Sequence, residues 1–306
     1  MLSTEHSLRA DLVLLGVTLA AAAGWIFSKE ALAGMPPLLF IGVRFFLAGA
    51  LLALIGWRSL RVMSATAFKQ VLGIGVLFAV SMGFWILGLH HGSHLGEGAF
   101  ITSLGVVIVP VIAKFLFKDQ PPASTWLALP IAVAGFACLS LNHGFRAEPG
   151  QLFFLTSAFF FAFMFNINSR VAHRIPTITL SSIQLMVVGV VLLPVSALIE
   201  PWPEAISQPV LGWLAASILI ATCLRFFLQI YGQSLTSPSH AAVIMMLEPV
   251  WTALLAAYWF RETMSGIQFL GCSLIFLALA VNRWTWIRRL LRSLLARARR
   301  GDAIGE

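Results

Sequence analysis

Apolar residues run through this chain in blocks of about twenty, separated by short joints of proline and charge. Ten blocks can be marked, at 11–28, 36–57, 68–89, 96–117, 124–142, 150–168, 177–199, 209–231, 239–260 and 265–286. Each comes near the roughly 20 apolar residues that an α-helix needs to cross the hydrocarbon of a bilayer. Period-two alternation, the mark of a membrane β-barrel strand, is absent, and the blocks are too long for such strands. The joints Met35-Pro36-Pro37, Gln120-Pro121-Pro122, Glu200-Pro201-Trp202-Pro203 and Ser237-Pro238-Ser239 are turn-like. None could separate soluble domains. The pattern predicts an all-α polytopic membrane protein with ten transmembrane helices.

Composition agrees. Of 306 residues, 59% are hydrophobic and 10% charged, against about 25% charged in soluble domains. The net charge of +8 would suit nucleic acid if it were clustered on a soluble face. Instead the basic residues gather at block ends and in the tail, which fits topology and anionic lipid. With the N-terminus inside, the inner joints hold Arg9, Arg58, Arg61, Lys69, Lys114, Lys118, Arg170, Arg174 and the tail arginines from Arg283 to Arg300. The outer joints hold only Lys29, Arg146 and Arg261. That bias predicts a multi-pass inner-membrane protein with both termini cytoplasmic. The tail WTWIRRLLRSLLARARR from Trp284 would set its arginines against anionic headgroups. Arg9 and the small residues before Gly24 imitate a signal peptide, but the many later spans favour a retained first helix. Cys138, Cys223 and Cys272 sit inside apolar blocks and show no metal or disulfide spacing.

The chain also aligns with itself. PPLLFIGVRFFLAGALLAL from Pro36 lies over PTITLSSIQLMVVGVVLLP from Pro176, so that Gly49 meets Gly189 and Arg44 meets Gln184. FLFKDQPPAS around Asp119 lies over AYWFRETMSG around Glu262. An odd number of helices in each half requires the second half to be inserted upside down. The expected organisation is a first five-helix repeat at 1–145, a second at 146–286, and a basic cytoplasmic tail at 287–306.

These residues carry a resemblance. GWIFSKEALAGMPPLLFIGVRFFLAGALLAL from Gly24 and AAVIMMLEPVWTALLAAYWFRETMSGIQFLGCSLIFLALAV from Ala241 resemble the EamA-type transporters of the drug/metabolite transporter superfamily. The likeness covers nearly the whole chain, as two modules. It implies an inner-membrane carrier of two inverted five-helix repeats that exports or facilitates amino acids and other small metabolites by alternating access. The chain departs from symmetry at one point. Glu248-Pro249 faces Gly105-Val106 in the first half, so the acid occurs once.

The polar residues inside spans are the candidates for chemistry, because a charge there costs roughly 2.5–3.5 kcal/mol on insertion scales. Glu248 interrupts the apolar stretch SHAAVIMMLEPVWTALLAAYWF, and Pro249 removes a backbone donor beside it. Arg225 falls at a similar depth on the preceding helix, and Gln229 shares its face at i, i+4. The spacing predicts that Arg225 and Glu248 approach each other, as a fixed ion pair or through a solute. Arg44 is a permanent cation with two-pronged geometry for a carboxylate; bracing of the helix end by snorkelling is its structural alternative. Trp25, Trp85, Asn166, Gln184 and Trp251 complete the candidate cavity lining, which suits an amphipathic solute such as an amino acid or aromatic metabolite. Glu248 is also a candidate proton carrier.

A rival motif is HHGSHLGE, in which His90 and His94 stand at i, i+4 with Glu97 three further on. Such spacing could hold a transition metal on a helix. Gly92 and Gly96 weaken that helix, and the other histidines are scattered. A metalloenzyme built on this stretch and a non-transporting membrane protein remain the alternative readings. No nucleophile elbow, nucleotide loop or other catalytic constellation appears, so the reading expects no enzyme, no cofactor and no resident metal. The pattern sets no oligomeric state.

Overall fold

The computed structural model describes residues 4–91, 95–140, 149–260 and 265–282. Every regular element among them is helical. The elements are α1 (Thr4–Leu32), α2 (Pro37–Ile55), the short α3 (Trp57–Arg61), α4 (Ala65–His91), α5 (Leu95–Phe115), α6 (Ala123–Ser140), α7 (Pro149–Val171) and α8 (Thr177–Ile199). They continue as α9 (Gln208–Ile218), a π-helical turn (Leu219–Leu224), α10 (Arg225–Ser234), α11 (Pro238–Met245), α12 (Glu248–Phe260) and α13 (Gly266–Asn282). Among the described residues, seven helical stretches are long and apolar enough to cross a membrane: Leu8–Leu32, Pro37–Ile55, Ala65–Gly88, Pro149–Val171, Thr177–Ile199, Gln208–Ser234 and Pro238–Trp259. Ile101–Phe115, Ala123–Cys138 and Gly266–Asn282 are shorter apolar helices. Each predicted apolar block is mostly helical over its described residues, the exceptions being block ends and the break at Met246 and Leu247.

Contacts fix the helix directions. Along α2 and α8, Gly42 meets Leu193, Gly49 meets Met186 and Gly56 meets Ile178, so the two run antiparallel. α1 is also antiparallel to the span of the π turn and α10, with Gly24 against Ala221 and Leu14 against Gly232. So are α4 and α7, through Ser81–Ser157 and Gly88–Phe154. α6 and α13 join the set, through Thr125–Asn282 and Gly135–Gly271. α1 runs parallel to the α11–α12 span, tied to it by Asp11–His240, Trp25–Glu248 and Glu30–Trp259.

Glycine sets the closest crossing. A Cβ on Gly49 would lie 2.4 Å from the Met186 nitrogen, and one on Gly189 would lie 2.5 Å from the Phe46 Cβ. Association of helices in lipid depends on such close packing of small residues. Beside this crossing Phe45, Phe78 and Phe226 pack edge-on and tilted with centroids 5.2 to 5.6 Å apart, filling the space with rigid apolar rings. One end of the crossing is capped from the other half of the chain. Glu200, which follows α8, accepts the Leu38 and Leu39 amides at 2.8 and 2.9 Å and so satisfies donors that the first turn of α2 leaves open.

Two spans are not continuous α-helices. The ninth block breaks at Met246 and Leu247, whose amides bond to Val243 and Ile244 at 3.2 and 3.1 Å in the tighter i→i−3 manner. Glu248 then opens α12, with Pro249 in its first turn. The sequence predicted a loosening there from the proline. The eighth block contains the π turn Leu219–Leu224, which the apolar pattern did not predict.

Candidate functional site

Both breaks bring charge to the same place. Arg225, the first residue after the π turn, reaches Glu248, the first residue after the α11–α12 break, at 3.6 Å between Nη2 and Oε2. The Trp25 indole Nε1 on α1 donates to Glu248 Oε1 at 3.2 Å. Trp85 on α4 packs edge-on against Trp25, with centroids 5.3 Å apart, and the Arg225 guanidinium lies 4.3 Å from the centre of the Phe226 ring. Four residues singled out from the sequence therefore form one contact set: Trp25, Trp85, Arg225 and Glu248.

Arg225 and polar residues on the same helices, α10 and α12, keep polar atoms without a protein partner. Arg225 Nε, Gln229 Oε1 and both amide atoms of Gln233 are buried with no hydrogen-bond partner among the described residues, as is the Trp251 indole nitrogen. Arg225, Gln229 and Gln233 lie four apart on one face of α10. A buried polar group left without a partner costs about 1–3 kcal/mol, so a ladder of them beside an ion pair points to function. Chemically it offers a cation, a carboxylate, amide groups and indole donors within aromatic walls.

Arg44 is placed differently. It is 8% exposed, and its nitrogens meet hydroxyls and a carbonyl rather than a carboxylate. Nε donates to Thr222 Oγ1 at 2.5 Å, Nη1 to Ser28 Oγ at 2.9 Å and Nη2 to the Ala221 carbonyl at 3.1 Å. Gln184 and Asn168 exchange amide hydrogen bonds at 2.6 and 3.2 Å. Asn166 donates to the Val109 and Ala162 carbonyls, both at 3.0 Å. Asn166 thus ties α7 to α5 through Val109, and Gln184 ties α8 to α7 through Asn168; none of these bonds runs to the Arg225–Glu248 set.

His94 lies outside the described residues, as does the basic tail from Arg283. Among the described residues no three His, Cys, Asp or Glu side chains gather at metal-binding distance.

Pattern reasoning missed a cavity of about 480 Å³ at the joints α5–α6, α7–α8 and α10–α11, lined in part by Asp119, Arg170, His173 and Ser237. There Arg170 pairs with Asp119 at 2.5 Å and lies 3.9 Å from the Phe117 ring centre. The basic residues Lys114, Lys118, Arg170 and Arg174 had marked the first two joints as inner, and alternation of the spans adds the third, which was the available clue that they meet.

Comparison with known proteins places the chain. An uncharacterized transporter of Archaeoglobus fulgidus is 30% identical over 276 residues, covering 90% of this chain and 85% of that one. A probable amino-acid metabolite efflux pump of Salmonella typhimurium is 23% identical over 273 residues, covering 84% and 89%. The uncharacterized inner membrane transporter YedA of Escherichia coli is 24% identical over 254 residues, covering 80% and 81%. A protein of known crystal structure, 20% identical, shares the fold with a TM-score of 0.79 over 92% of this chain and 98% of that one. The description of the EamA-like transporter family matches residues 8–141 and again residues 148–284, and the chain belongs to that family.

Proposed function

We propose that this membrane transporter is a secondary carrier that exports or equilibrates a small organic metabolite such as an amino acid by alternating access. The observation that carries the reading is the Arg225–Glu248 pair, set at two helix breaks and bordered by unpartnered Arg225 Nε and Gln229 Oε1. Broken helices at membrane depth are tolerated where they line a cavity, and they build solute sites in other carriers. A zwitterion would set its carboxylate on Arg225 and its ammonium toward Glu248 and Gln229. Trp25, Trp85 and Trp251 would take the apolar part.

In this reading ten helices form two inverted repeats, 1–145 and 146–286, followed by the tail 287–306. Support comes from the double family match and from the antiparallel α2–α8 crossing, in which aligned glycines touch reciprocally aligned partners. The charge bias supports an inner-membrane location with both termini cytoplasmic and the tail against anionic headgroups. The printed name of the Salmonella relative supports the solute class.

The test is counterflow of each common amino acid in proteoliposomes, with wild type beside Arg225→Gln and Glu248→Gln. Saturable flux of at least one amino acid, lost in both variants, is expected. Flux of none by wild type would overturn the solute class. Flux unchanged in both variants would overturn the site.

A further inference from the structure

We propose that Arg44 is a positioning residue, which holds in place the two groups that contact Glu248 without itself binding the solute. The inference rests on the carrier reading above for what Glu248 does, and on geometry alone for what Arg44 does.

Two arms leave the guanidinium. The first runs to α1. Arg44 Nη1 donates to Ser28 Oγ at 2.9 Å, and that hydroxyl donates onward to the Gly24 carbonyl at 2.6 Å. The next residue is Trp25, whose indole donates to Glu248. The second arm runs to the π turn. Arg44 Nε and Nη2 take Thr222 Oγ1 and the Ala221 carbonyl, while Thr222 Oγ1 donates to the Ser217 carbonyl at 2.8 Å. The turn ends at Leu224, and Arg225 follows with its own contact to Glu248. One side chain of α2 therefore fixes the approach of both partners of the acid.

The two arms are pressed together. A Cβ on Gly24 would lie 2.7 Å from the Ala221 Cβ and 3.6 Å from Arg44 Nη2, so α1 rests directly on the turn. Phe40 and Phe45 close the sides of the guanidinium at 5.6 and 5.8 Å. These contacts leave Arg44 surrounded by protein groups.

A π turn needs such a brace. It carries one residue more than the α-helix it interrupts, and its carbonyls depart from the regular ladder. If the turn relaxed to α geometry, α10 would rotate by about 100° relative to α9. Arg225, Gln229 and Gln233 would then leave their present face together.

Cys223 in the turn is the reporter, half-buried with Sγ 3.5 Å from the Ala48 carbonyl. In a Cys138→Ser, Cys272→Ala background it is the single thiol. The first readout is its rate of modification by N-ethylmaleimide in purified, monodisperse protein. Arg44→Gln should raise that rate about tenfold, the effect on an opening equilibrium of losing one charge-assisted hydrogen bond. Arg44→Lys should raise it less. Ser81→Ala, which weakens a distant helix contact, should leave it unchanged. An unchanged rate in Arg44→Gln overturns the proposal, and so does an equal rise in Ser81→Ala. If Arg44→Gln does not fold, Thr222→Val carries the same test by removing the Nε acceptor.

The second readout is flux of L-leucine and of L-leucinamide in proteoliposomes. A positioning role lowers both by the same factor in Arg44→Gln. Selective loss of leucine, which alone has the carboxylate, would make Arg44 a solute ligand and overturn the proposal. If wild type carries neither probe, the carrier reading fails for this solute class, and the Cys223 rates alone decide the role of Arg44.

Discussion

The α2–α8 crossing makes a quantitative demand on two glycines. In Gly189→Ala the new methyl would sit 2.5 Å from the Phe46 Cβ and 2.6 Å from its Cα and nitrogen. Ordinary carbon contacts lie near 3.5–4.0 Å, so the helices must separate by about 1 Å. Phe46 cannot relieve the clash by changing rotamer, because its backbone is among the atoms struck. Overpacking of this kind costs about 1–3 kcal/mol. Gly49→Ala strikes the Met186 nitrogen at 2.4 Å and its Cγ at 2.6 Å, with the same expected cost. Since either methyl forces the same pair of helices apart, the double variant should cost less than the two singles together. Gly73→Ala and Gly16→Ala are the controls. A Cβ at either position meets nothing within 4 Å, and alanine improves helix propensity there by up to about 1 kcal/mol. Thermal unfolding in detergent, followed by tryptophan fluorescence, measures all five proteins against wild type. The reasoning is refuted if Gly189→Ala unfolds at or above the temperature of Gly73→Ala.

Three smaller predictions use other contacts. Ser81 and Ser157 each donate to the other's carbonyl, at 3.1 and 2.8 Å. Either alanine variant should cost about 0.6 kcal/mol in thermal unfolding, the average for such bonds between membrane helices, and the double variant should cost less than twice that. Glu200→Gln weakens a charge-assisted cap on α2, so it should cost about 1.5 kcal/mol and speed hydrogen exchange at the Leu38 and Leu39 amides. The Asp119–Arg170 side chains are 41% and 31% exposed. Asp119→Asn should therefore change stability by less than about 1 kcal/mol; as a link between the α5–α6 joint and the end of α7 it should still alter flux, read in proteoliposomes.

The parts of the fold that were legible are those that the apolar period encodes. Helix positions follow from block length, and the α2–α8 pairing was foreshadowed by the alignment of Gly49 with Gly189. Arg225 and Glu248 could be placed together because depth along consecutive helices follows from residue count. The break before Glu248 was legible because proline removes a donor there. The π turn at Leu219–Leu224 was not, since LIATCL reads as helix under any period and Arg44, which bonds to it, is remote in sequence. The same remoteness hid the partners of Arg44. Its charge marked it either for a solute or for bracing a helix end, and its partners are Ser28, Ala221 and Thr222, which no local pattern ties to it. Asn166 and Gln184 were selected for polarity inside spans, and that criterion does not distinguish a cavity wall from a bond between helices.

The central proposal is that oppositely oriented halves enclose a polar path at Arg225–Glu248 that opens to each side in turn. A cysteine in place of Gln229, in a background lacking the native thiols, tests it most directly. The test exposes spheroplasts and inside-out vesicles to a membrane-impermeant thiol reagent. The account predicts labelling from both sides, with prior treatment on one side consuming the sites reachable from the other. Labelling from one side alone, or from neither, would contradict it.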